Sequence, residues 1–109
     1  LWDESSLAYD SSLSFADKAG FRCGVCYEFT MYDLINRKKL ALKQRPLIVM
    51  ECSIIAPRYE GLGYSNESME RFLHFKSLAR QYDGIFTVLW HNSHFENSKD
   101  KEFYENLIQ

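Results

Sequence analysis

Two apolar runs flanking one amphipathic stretch constrain this chain most. The first run is Leu47-Ile48-Val49-Met50, introduced by Pro46. The second is Ile85-Phe86-Thr87-Val88-Leu89-Trp90. Runs of this kind, without polar alternation, read as strands covered on both faces, as in parallel sheets. Proline is tolerated at a strand entrance, where no ladder donor is needed. Between the runs, Met69, Phe72, Leu73, Leu78, Ala79 and Tyr82 recur at helical spacing. Asn66 is the expected N-cap. Glu67 and Glu70 sit where the helix dipole favours anions, and Asp83-Gly84 stops the helix. Strand, helix, strand predicts a parallel pair over 47–53 and 85–91 with a right-handed crossover. The carboxyl ends of the two strands then lie side by side, which brings Glu51 toward His91 and Asn92. In α/β folds, ligand sites gather at that edge.

The remaining chain is less strongly patterned. Residues 1–20 carry Trp2, Leu7, Tyr9, Leu13 and Phe15 without periodicity, and those side chains call for a partner surface. Val25 to Phe29 is a short strand candidate. Arg37-Lys38-Lys39 reads as a solvated turn, and Leu40-Ala41-Leu42-Lys43 as a weak alternation. Ala56 to Ser65 is a loop punctuated by Pro57, Gly61 and Gly63. A last helix is expected over Asp100 to Ile108. The fold class is α/β, with about three to four mainly parallel strands and two or more helices, in one piece over residues 1–109.

Composition excludes some functions. The net charge of −2 gives no nucleic-acid footprint. No apolar run approaches the ~18 residues of a membrane span, and Trp2-Asp3-Glu4-Ser5-Ser6 is too polar and acidic for a signal peptide. Three cysteines make no even disulfide framework. They read as free thiols in a reducing, cytoplasmic setting. Cys23-Gly24-Val25-Cys26 has CxxC spacing, but it runs into Tyr27-Glu28-Phe29 rather than opening a helix, as a thioredoxin-type pair would.

The second apolar run ends in His91-Asn92-Ser93-His94. A histidine at the end of a buried strand can transfer protons near neutral pH, and a carboxylate such as Glu51 would hold its tautomer. The residues alone favour a plainer role, a hydrogen bond to a loop carbonyl. His91 and His94, in His-x-x-His spacing, bind a metal together only if a third ligand arrives from elsewhere. The spacing favours one site residue and one exposed residue. Arg22, between Phe21 and Cys23, reaches either a substrate oxygen or an ion pair of the scaffold. Asp10 reads first as a turn cap. His74 lies on the helix and reads as surface.

Four segments in order carry a resemblance. They are Tyr9-Asp10-Ser11-Ser12-Leu13, Gly20-Phe21-Arg22-Cys23-Gly24, Pro46-Leu47-Ile48-Val49-Met50-Glu51 and Leu89-Trp90-His91-Asn92-Ser93. Together they resemble the carboxyl-terminal part of polysaccharide deacetylase-like (NodB-homology) proteins. The resemblance implies part of a distorted (β/α) barrel whose parent hydrolyses acetyl groups on carbohydrates. It implies His91 as the general acid, with Asp10 and Glu51 as acidic partners. Trp90 and Asn92 would line the substrate groove, with Arg22 a weaker transfer. It also implies a divalent, zinc-like metal whose ligands lie outside this chain, since no Thr-Phe-Asp-Asp-like segment and no His-x-x-x-His motif is present. Asn92 stands where many active members have Asp. A barrel needs roughly 200 residues or more, so the segment is expected to be inactive alone. It is expected to homo-oligomerise or to pack against the rest of its own domain. The alternatives are a non-catalytic carbohydrate-binding module, in which Trp2, Tyr59, Tyr64 and Trp90 stack sugar rings, and a small α/β interaction domain.

Overall fold

A computed structural model describes Leu1–Gln109. The elements, in order, are β1 (Tyr9–Asp10), β2 (Phe29–Asp33), β3 (Lys38–Gln44), β4 (Val49–Met50), α1 (Glu51–Ile55), α2 (Asn66–Gln81), β5 (Val88–Leu89), a 3₁₀ turn (Asn92–His94) and α3 (Ser98–Ile108). They form two sheets. In the first, β3 is central, parallel to β1 and antiparallel to β2. In the second, β4 and β5 pair in parallel, with Val49 opposite Val88 and Met50 opposite Leu89.

The β2–β3 hairpin follows from local chemistry. The Asp33 carboxylate accepts hydrogen bonds from the backbone N–H groups of Ile35 and Asn36, at 2.9 and 3.0 Å. That Asx turn reverses the chain, and Arg37 completes it at φ 53°. Arg37 therefore sits in the turn, while Lys38 and Lys39 open β3 as exposed residues. The strand candidate at 25–29 is displaced toward the carboxyl end. A turn closed by Gly24 N–H on the Phe21 carbonyl, with Gly24 at φ +71°, breaks the extended chain, and the strand begins at Phe29.

The two apolar runs form shorter strands than their length suggests. The run from Leu47 supplies β4 over two residues only, and Glu51 starts a helix rather than ending a strand. Its carboxylate suits a first helical turn. Ile48 is bonded on both sides, its N–H to Thr87 and its carbonyl to Gly20. The second run pairs over Val88–Leu89 alone, and Ile85 instead donates to the Cys26 carbonyl.

The helices hold the core. Phe72, Phe75 and Ala79 of α2 and Phe103 and Leu107 of α3 pack with Ile48, Val49 and Ile54. This cluster takes nothing from the β2–β3 hairpin, and the molecule measures 47 Å by 29 Å by 25 Å. Trp2, Leu7, Tyr9 and Leu13 stay exposed. The cap of α2 is Ser65, one residue earlier than the composition suggests, and its hydroxyl accepts from Ser68 N–H at 3.1 Å. Lys76 Nζ donates to the Leu107 carbonyl at 2.8 Å, satisfying an orphan acceptor at the end of α3.

Helix α3 begins two residues before the expected Asp100. Asn97 caps it, accepting from Asp100 N–H at 3.0 Å, while the Asp100 carboxylate accepts from Asn97 N–H at 3.2 Å. Asn97→Ala should cost about 1 kcal/mol by urea unfolding, the usual worth of such a cap. Gly84 carries a larger steric constraint. A Cβ there would collide with Cys26 Sγ and lie 2.7 Å from the Cys26 carbonyl oxygen. Gly84→Ala is expected to destabilise by about 1–3 kcal/mol through this overpacking. An unchanged urea midpoint would show that the Cys26 loop yields freely.

Candidate functional site

Three segments converge at the carboxyl end of the β4–β5 pair. Glu51 follows β4 directly and opens α1. His91 and His94 bracket the 3₁₀ turn that follows β5. His94 N–H bonds the His91 carbonyl at 2.9 Å, closing that turn. At three residues per turn, side chains three apart eclipse. Both imidazoles therefore project from one face.

That face meets Glu51, whose side chain is fully buried. Its Oε1 lies 2.5 Å from His91 Nδ1 and 2.8 Å from His94 Nδ1. The same oxygen accepts the backbone N–H of His91 at 2.9 Å. Three donor positions thus converge on Oε1, while Oε2 is buried with no partner. A buried carboxylate is expensive unless donors or a cation compensate it. The rings remain open to solvent, His91 45% exposed and His94 36%. Ligand atoms from all three residues lie within 4.8 Å of one another, so the set can hold a metal ion.

A second polar layer flanks His94. The Tyr64 phenol holds the Asp100 carboxyl below the usual carboxylate range, with the N–H groups of Asn97 and Glu96 and the nearby His94 adding to the effect. Burial pushes the Tyr64 phenol up, and the Asp100 and Glu51 carboxylates push it further. A carboxyl whose folded pKa is depressed stabilises the fold fully above its unfolded value of about 3.9. That contribution disappears as pH falls through the lower, folded value. Asp100→Asn should therefore lower the melting temperature at pH 7, and the gap from wild type should close in strong acid. An equal gap at both pH values would assign the loss to packing.

The sequence-predicted residues separate into two groups. Glu51 and His91 meet in this cluster, and Asn92 opens the 3₁₀ turn beside them. Trp90 borders it, but its ring packs among Phe72, Phe95, Phe103 and Tyr104. Its indole N–H donates to the His94 carbonyl at 3.0 Å, which pins the turn. Asp10 and Arg22 lie in other bonds. The Asp10 carboxylate accepts from the N–H and hydroxyl of Ser12, at 3.0 and 2.5 Å, as a turn cap. Arg22 Nη1 donates to the Ser14 carbonyl at 2.7 Å. His94 is the residue that sequence reasoning set aside. Its signal was the three-residue spacing, which carries meaning only once the turn is known to be 3₁₀. The cysteines are free thiols, and burial pushes the Cys23 thiol up, away from the low values of reactive thiolates.

No family model, no curated protein and no solved structure matches the chain. No helix is long and apolar enough to cross a membrane.

Proposed function

We propose that this cluster is an acid–base centre for hydrolysing acetyl groups on carbohydrates, with His91 moving the proton and Glu51 positioning it. One observation carries the reading. A carboxylate with no solvent exposure sits 2.5 Å from Nδ1 of a histidine whose ring is 45% exposed. With the proton on Nδ1, that ring donates to Oε1 and leaves Nε2 as the basic nitrogen. The buried anion also stabilises the imidazolium formed when Nε2 takes a proton. Nε2 takes that proton from the water that attacks the acetyl carbonyl and delivers it to the departing amine or alcohol as the C–N or C–O bond breaks, releasing acetate.

The substrate class rests on the order of the four deacetylase-like segments and on His91 standing at the end of the last of them. On this reading β4 and β5 are neighbouring late strands of a (β/α) barrel, with the cluster at their carboxyl edge. No step passes through a metal. The assay is acetate release from N-acetylated and O-acetylated oligosaccharides by the intact protein. Release that persists unchanged after His91→Ala would remove the proton-transfer role.

A further inference from the structure

We propose that Glu51, His91 and His94 form a binding site for a borderline divalent transition metal of the zinc(II) class. The resemblance places metal ligands outside this chain, so this set is not the one it implies. The case rests on two independent features. The first is the convergence of two imidazoles and one carboxylate, with ligand atoms within 4.8 Å of one another. The second is the state of Glu51, a fully buried carboxylate whose Oε2 has no hydrogen-bond partner. With no donor on Oε2, the buried carboxylate keeps charge that its hydrogen bonds do not offset, and a cation bound at Oε1 between the two imidazoles would offset it.

The donor types select the metal. Calcium and magnesium take oxygen ligands, whereas imidazole nitrogens suit zinc and its neighbours. Zinc bonds nitrogen and oxygen at about 2.0–2.1 Å, which puts tetrahedral ligand atoms about 3.3 Å apart. The present Nδ1–Oε1 separations are 2.5 and 2.8 Å. The rings need to retreat by less than about 1 Å to reach that spacing, and both are partly exposed on a short turn. Each ring must then carry its proton on Nε2. Two N–H···O bonds are exchanged for two nitrogen–metal bonds, and water completes the shell on the solvent side. Asp100, close to His94, adds negative charge without being a ligand.

The metal and the acid–base state exclude one another. A metal on Nδ1 of His91 displaces its bond to Glu51 and leaves Nε2 protonated. Zinc is therefore expected to inhibit acetate release, a consequence that rests on the hydrolase reading. Binding itself does not rest on it.

The experiment is a cobalt(II) titration of the 109-residue chain, followed by its visible ligand-field bands, with zinc(II) as competitor. One equivalent should bind, and zinc should displace it. His94→Gln should weaken binding by well over about tenfold, since loss of even an outer partner of a metal ligand costs about 10–100-fold. Circular dichroism checks that the variant is folded. In the unaltered protein, cobalt should broaden the ring resonances of His91 and His94 and spare His74, an exposed internal control. The absence of one-to-one binding, undiminished binding by a folded His94→Gln, or broadening of His74 alone would each overturn the site. Metal binding without hydrolysis would leave the site standing and remove the hydrolase reading.

Discussion

Replacing His91 with alanine should slow acetate release by about 10²–10⁴-fold, the usual contribution of a positioned acid–base group. The loss should fall on kcat rather than KM, because the proton moves only in the transition state. Added imidazole should restore part of the rate, since the ring is 45% exposed and its removal opens a cleft to solvent. Glu51→Gln separates positioning from chemistry. The amide oxygen can still accept from Nδ1, but it carries no charge to stabilise the imidazolium. That variant should lose less than His91→Ala, and imidazole should not rescue it. Equal rates in all three proteins would show that the pair is a structural hydrogen bond. Circular dichroism of His91→Ala is the control for folding, because the substitution also withdraws one of the three donors from the buried Glu51 carboxylate and lowers stability.

Phe72→Ala is expected to be the most damaging change to the fold. Phe72 is fully buried, with ring centroids 5.7 Å from Phe103 and 6.3 Å from Trp90. Truncating such a ring removes its burial and leaves a cavity, a loss of about 3–5 kcal/mol. Total stabilities of about 5–15 kcal/mol make this a large fraction of the whole. The effect should reach the site, because Trp90 leans on Phe72 and its indole N–H holds the His94 carbonyl. Urea unfolding measures the first consequence. Metal affinity of the variant, under conditions where it remains folded, measures the second. A loss below about 1 kcal/mol would mean that the α2–α3 core collapses around the gap.

Sequence legibility varied with the range of the forces involved. The body of α2 was readable because its signals are local: apolar residues at helical spacing, acidic residues in the first turn and Asp83-Gly84 at the end. Its cap was missed by one residue, since both Ser65 and Asn66 are good caps and only the backbone at Ser65, φ −107° and ψ 168°, selects between them. The strands were overestimated. Apolar content predicted cover on both faces, yet Ile85 and Leu89 are exposed, and a strand extends only where a neighbour supplies hydrogen bonds. Here Ile48 divides its backbone between Thr87 and the Gly20 loop. The hairpin was the least legible part, because its turn depends on Asp33 bonding to Ile35 and Asn36 rather than on glycine.

For the site, the sequence by itself determined the ingredients and their local order. Glu51 ends one apolar run, and His91 and His94 follow the other at a spacing of three. Tertiary structure alone decided that they meet. The parallel register, Met50 opposite Leu89, brings the residues after each strand to the same height. A slip of one residue would turn their side chains to the opposite face. The 3₁₀ turn then brings both imidazoles onto one oxygen of Glu51, the buried carboxylate that opens α1. Pairing register and burial depend on contacts about forty residues apart, which no local pattern encodes.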